Sequence, residues 1–479
     1  LALNSGTLSI GANTLTLAGT VSQTSGFLRG SNSSNIITQG SSAKALDFDQ
    51  TTDGSHQNPT TGTNSLGNLE LQGTGAITLN NKVNLYGILT TATGTTLNSG
   101  DGLLVFRNTG SSTARIAPIS GTPTFTGAVV VENFINKQSR GWRLLSSPLT
   151  SAGSGGTVTG TIQNNWQSDF GFPEVGGFKN YGTNFYSPSG LNGMDGTTVS
   201  NSLLRFKADT GTLGGWTNIN TTGIQQFNND AQNASSTSNN PPVFFAFVRG
   251  DKSVPPGVAQ TFRPTTLAAK GRVTFGSKQV NVTANSMTNG YAAVGNPFIS
   301  PVDINLASFS ATDFASSNTI WVWDPTLGST QLGGFVALTG ANNYTTSGNM
   351  TKFLQTGQAF LVRFDVGKSS GSITFEETDK VSNFTTTVTG AGNGLKDILS
   401  TKLSIVNTDG TKHLADVHQT IFASGYTNNF NISEDAPKYI NGGENLSSKI
   451  GSDLLSIDLR SYIQNHDSIF MSFTNTRVA

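Results

Sequence analysis

Along residues 1 to about 130, aliphatic and polar residues alternate in short runs. The clearest are Thr14-Leu15-Thr16-Leu17, Asn68-Leu69-Glu70-Leu71, Ala76-Ile77-Thr78-Leu79, Val83-Asn84-Leu85 and Leu103-Leu104-Val105-Phe106. Each is followed closely by Gly or Asn. A period of two puts the aliphatics on one face and Thr or Asn on the other. Gly and Asn supply the positive φ that corners need. Helix signals are nearly absent. Short strands at close spacing, without hairpin dipeptides, predict a β-solenoid (parallel β-helix-like) with aliphatics inside and Thr/Asn ladders outside. A β-sandwich of the same strands is the alternative this pattern leaves open, and irregular spacing hides the number of turns.

Residues 131–380 read differently. All the tryptophans fall here: Trp142, Trp166, Trp216, Trp321 and Trp323. Longer, aromatic-rich runs stand at Val243 to Arg249, Arg272 to Phe275, Ile320 to Trp323, Gly357 to Phe364 and Ser372 to Phe375, divided by Pro-Gly, Asn-Gly and Ser-Gly. They predict one or two antiparallel β-sandwich domains. Segments 150–160 and 215–242 read as long polar loops. Residues 381–479 predict a further small β-sandwich domain, with strands at Thr401 to Val406, Ala415 to Phe422, Leu454 to Leu459 and Ser468 to Phe473. The fold class expected is therefore all-β, an N-terminal β-solenoid followed by antiparallel β-sandwich domains.

Charge narrows the function classes. Only 12% of residues are Asp, Glu, Lys or Arg, against about 25% in ordinary globular chains. Basic and acidic residues balance at 28 each. No basic stripe offers itself to nucleic acid, and no polybasic patch to a membrane. No apolar run reaches the length of a membrane span. Cysteine is absent, which removes disulfides, thiolate metal sites and a cysteine nucleophile. The opening residues carry no signal-peptide pattern and begin in the middle of a repeat, as a processed or partial piece of a longer protein would.

Chemistry-bearing patterns are few. Gly367-Lys368-Ser369-Ser370-Gly371 matches the hydrolase elbow, but strand runs on both sides predict a hairpin turn. The same Gly-Lys-Ser does not end a phosphate loop, because Val362 stands where that motif needs glycine. His413, His418 and Asp416 suggest a metal site; odd spacing on a strand puts the two histidines on opposite faces, and they read as surface residues. Asp47, Asp49 and Asp53 form the densest acidic cluster and are the calcium candidates, against the simpler reading of a solvated loop. A solenoid lyase would need charge gathered on one face, and ten charged residues spread over the first 130 supply few candidates. Trp321 and Trp323 share a face, read as core-facing rather than sugar-stacking. No catalytic residue is assigned, and no cofactor beyond the calcium candidate.

Several segments in order carry a resemblance: RGWRLLSSPL (Arg140 to Leu149), TIQNNWQ (Thr161 to Gln167), AVGNPFISPVDI (Ala293 to Ile304), IWVWDP (Ile320 to Pro325) and GQAFLVRF (Gly357 to Phe364). Together with the solenoid style of Thr96 to Val105 and the Glu434 to Lys438 stretch, they resemble large secreted adhesin-like surface proteins of Bacteroidetes exported by the type IX secretion system. The resemblance implies that Trp142 anchors the sandwich and that Asn296-Pro297 and Ser300-Pro301 fix turns. It implies no catalytic residue. It also implies a C-terminal sorting domain, which no segment before Ala479 matches, and O-glycosylation at sites such as Asp467-Ser468-Ile469.

The expected function is a structural or adhesive protein at the bacterial cell surface, with the solenoid as spacer and the sandwiches as contact domains. Its expected partners are secretion-machinery components, copies of itself in a filament or sheath, or surface glycans. The rival is a carbohydrate-binding or carbohydrate-cleaving secreted protein.

Overall fold

The computed structural model describes residues 1–53, 62–109, 112–135, 140–150, 152–153, 156–157, 160–167, 182–206, 216–222, 241–252, 264–283, 290–310, 313–314, 319–325, 327, 333–339, 344–345, 352–381, 397–422, 426–432, 435–464 and 467–475. The protein is all-β: among these residues there is no α-helix, and a 3-10 turn lies at Glu377–Asp379.

Strands of the first 130 residues pair in parallel. Ala2 pairs with Ser22, Thr7 with Phe27 and Leu69 with Leu89, so the path returns about every twenty residues. Two turns are longer: Asn35 pairs with Asn68 and Lys44 with Ile77, where the extra length carries Asp49 and Asp53, and Thr96 pairs with Thr124. This register stacks like on like. Leu15, Ile36, Leu69, Leu89 and Ile116 form one column across five strands. Leu66, Leu85, Phe106 and Val131 form another. The inward residues from Ile36 onward are buried, and each is worth about 1.5–3 kcal/mol when taken from water. On the outer side, Asn68 Nδ2 donates to Asn35 Oδ1 at 2.8 Å, and the Ile88 amide donates to Asn68 Oδ1 at 2.8 Å. At the same corner Gly87 lies so close to Gly67 that a Cβ there would stand 2.3 Å from the Gly67 carbonyl oxygen. Only glycine fits such an approach.

The strand Thr124–Ile135 joins two modes of pairing. One edge runs parallel to Thr96–Phe106 and the other antiparallel to Thr265–Val273. Residue 130 therefore lies inside a strand. Beyond it, Gly141–Ser146, Val243–Val248, Leu203–Phe206 and Trp216–Asn218 form an antiparallel sheet. Val243 and Phe245 face one apolar cluster while Phe244, Ala246 and Val248 face another. The unbroken apolar run of this strand follows from burial on both faces.

The cluster that Val243 and Phe245 face is closed by the antiparallel sheet of Tyr291–Gly295, Ala359–Arg363, Ile320–Asp324 and Gly334–Thr339, and by the three-stranded sheet of Lys278–Thr283, Ser370–Phe375 and Ser308–Phe309. Trp321 and Trp323 are buried in it, as expected. Trp142 stacks on Phe245 with centroids 4.7 Å apart. Asn296 holds its turn: Nδ2 donates to the carbonyls of Ser300, Leu354 and Gln355, and Oδ1 accepts from the Phe298 amide.

Gly367 to Gly371 departs from expectation. It is not a hairpin turn, because Ala359–Arg363 and Ser370–Phe375 belong to different sheets. The segment crosses between layers, and strand rather than helix follows it. The last sheet orders Asp397–Val406, Lys412–Phe422, Asp453–Arg460, Asn445–Ile450 and Met471–Thr474. Most of the expected loops at 150–160 and 215–242 lies outside the described residues, and what is described includes strands instead: Ala152–Gly153 with Gly156–Thr157, and Trp216–Asn218.

Candidate functional site

A buried polar cluster forms where the long turn meets the sheet. Leu85 pairs with Phe106 and Phe106 with Val131, so the next residues, Tyr86, Arg107 and Glu132, stand in one row. Arg107 and Glu132 have no solvent exposure. Arg107 Nη1 donates to Glu132 Oε1, and its Nε donates to Asn84 Oδ1 at 2.9 Å. The long turn brings Asp53 to the same place. Its carboxylate accepts from Lys82 Nζ at 2.5 Å, Asn64 Nδ2 at 2.9 Å and Asn84 Nδ2 at 2.8 Å, and Arg107 Nη2 stands 3.9 Å away.

Two cations thus balance two carboxylates. Burial pushes the Glu132 carboxyl up, against the pull of Arg107 and Lys82. Burial, then the Arg107 charge, lowers Lys82 to about 8, against Asp53. Asp53 is raised by burial, but Lys82 and Arg107 more than offset this and its pKa falls below the usual value. Tyr86 is raised by burial. Such a network ties separate turns of the chain together. Its charged atoms face one another, and its centre has no contact with solvent.

The calcium candidates do not converge. Asp47 Oδ2 accepts from Asn80 Nδ2 at 2.7 Å. Asp49 Oδ2 accepts from Arg29 Nε at 2.8 Å and Nη2 at 2.6 Å, while its Oδ1 accepts from the Thr51 amide. Asp53 serves the buried network. Each carboxylate is engaged by different donors. Among the described residues no group of three or more His, Asp or Glu gathers as metal ligands.

The reading of His413 and His418 needs correction twice. His418 is wholly buried rather than a surface residue. A bulge between the Leu403 and Ser404 pairings also shifts the register, so His413 pairs with Ile405 and His418 with Thr401. Those partners share a face, so the histidines do too. Five residues of strand still separate them by roughly 16 Å, too far to share an ion. Among the described residues neither nitrogen of His418 has a hydrogen-bond partner. Asp416, two residues before it, accepts Lys438 Nζ at 2.5 Å and the Leu446 amide at 2.7 Å.

Lys82, Arg107, Glu132 and Lys438 were not singled out by sequence spacing. The first three are separated by about one turn of the path, a signal visible only once the register is known. Within the Glu434 to Lys438 stretch, Glu434 lies outside the described residues, Asp435 accepts the Leu459 amide at 2.8 Å, and the Pro437 carbonyl accepts Trp321 Nε1 at 3.0 Å.

Comparison with known proteins gives no match: no family model fits the chain, and no curated protein or solved structure is significantly similar. No helix among the described residues is long and apolar enough to cross a membrane.

Proposed function

We propose that the chain is a structural or adhesive protein of the bacterial cell surface, of the type IX-exported Bacteroidetes kind its motifs resemble. Residues 1–130 form a β-solenoid spacer. Residues 131–380 and 381–479 are β-sandwich domains that present contact surface. The observation that carries this reading is the continuity of the apolar core. One cluster runs from Leu3 through the parallel strands to Phe244, Leu267 and Ile299. A spacer fused in this way to its contact domains holds them at a fixed distance and orientation. The sparse charge and the abundance of Ser, Thr and Asn suit weak, repeated contacts that gain strength by multivalency.

The test is attachment. Beads coated with the full chain are challenged with immobilised glycans and with a second population of coated beads. Saturable attachment to either, without release of reducing ends, supports the reading. Sugar release overturns it in favour of a carbohydrate-cleaving enzyme, and absence of attachment to both overturns it outright.

A further inference from the structure

We propose that Lys438 and Asp416 become joined by an isopeptide bond from Nζ to Cγ, formed by the folded chain itself with loss of one water. Lys438 Nζ lies 2.5 Å from Asp416 Oδ2, and each side chain is 1% exposed. Both ends are held. The Lys438 amide donates to the Leu454 carbonyl at 2.6 Å, and the preceding Pro437 carbonyl accepts Trp321 Nε1. The Asp416 oxygens accept the amides of Val417 and Leu446. Two reactants fixed in contact gain the advantage of an intramolecular reaction, which in favourable geometry is very large. Buried charges also carry a desolvation penalty, which amide formation removes.

The second observation is His418. It lies on the same strand, two residues from Asp416, wholly buried and with neither ring nitrogen hydrogen-bonded among the described residues. An unpartnered buried imidazole is costly unless it has another role.

The step balances without a co-reactant. A proton passes from the Lys438 ammonium to the Asp416 carboxylate, leaving an amine and a carboxylic acid. The Nζ lone pair adds to Cγ. His418 takes a proton from that nitrogen and returns it to the departing hydroxyl, which leaves as water. One N–C bond forms and one C–O bond breaks, and the pair is neutral before and after. Burial and the Lys438 charge together hold His418 down to about 3. The second cause disappears once Lys438 has given up its proton, so the imidazole gains basicity when the relay requires it.

The proposal stands apart from the surface role and is tested by mass. The purified full chain is expected to weigh one water less than its sequence requires. Trypsin has no cleavage site between His413 and Pro437, and it does not cut after an acylated lysine. The digest should therefore yield a looped peptide spanning residues 413–449, short by one water. Lys438→Arg should restore the full mass. His418→Phe should leave the bond unformed in protein whose circular dichroism shows it folded. A linear 413–438 peptide of full mass from the wild-type chain overturns the bond. Complete crosslinking in His418→Phe overturns the relay.

Discussion

Arg107 and Glu132 meet at one register position of neighbouring strands, both without solvent contact, and the Arg107 charge is the largest of those that offset the burial of Glu132. Removing Glu132 takes away the carboxylate nearest the buried Arg107 and leaves Asp53, 3.9 Å off, to balance it. Glu132→Ala is expected to cost about 3–5 kcal/mol, whereas replacing both residues with apolar side chains of similar volume costs much less. Urea unfolding of the two singles and the double variant measures this. Equal losses in all three would show that packing rather than charge sets the cost.

His418 makes stability depend on acid. Its folded pKa is about 3 against 6.5 for the free group. Between those values the unfolded chain binds a proton that the folded chain does not, so stability falls as pH drops from about 6.5 toward 3. The contribution is on the order of 4 kcal/mol at the acid end. Asp458, raised by burial, works in the opposite direction. Comparing melting curves of Lys438→Arg and of Lys438→Arg with His418→Phe, neither of which can form the isopeptide bond, at pH 7 and pH 4 isolates the histidine: the double variant should lose less on acidification.

Glu377 bridges distant segments. Its two carboxylate oxygens accept the amides of Ile119 and Gly276, each at 2.7 Å, and Lys380 Nζ stands 2.7 Å away. Glu377→Ala should speed hydrogen exchange at those two amides by more than tenfold, since each lost bond is worth about 1.5–3 kcal/mol where the acceptor is charged. Unchanged exchange at both would mean that packing alone closes this junction.

Calcium should leave the protein unmoved. Asp47, Asp49 and Asp53 each hold separate donors, so melting temperatures in calcium and in chelator should coincide. A rise in calcium that disappears in Asp49→Asn would show that the loop rearranges to bind it.

Alternation made the strands legible. Thr14–Leu17, Asn68–Leu71 and Ala76–Leu79 fall where the pattern put them, because each turns one aliphatic face inward. The pairing was less legible. One turn runs from Asn35 to Asn68 instead of about twenty residues, which hides the repeat from simple counting. The buried network was hidden for the same reason: Asp53, Lys82, Arg107 and Glu132 are strangers in sequence and neighbours only in register. The parity rule for His413 and His418 failed because a single extra residue at a bulge exchanges the faces of everything beyond it. Gly367 to Gly371 misled because flanking strands say nothing about whether they pair with each other.

The strand Thr124–Ile135 has a mechanical consequence. Its antiparallel edge holds seven residue pairs, from Val129 with Gly271 to Ile135 with Thr265, while its other edge belongs to the parallel stack. The chain passes from the first turns to the later sheets through this strand, beside links such as the Ile116 amide to the Ile299 carbonyl and the Ile119 amide to Glu377. Pulled along its length, the strand loads its hydrogen bonds together in shear instead of peeling them one at a time. This junction is expected to be a strong point under load, and extension should unravel weaker elements first.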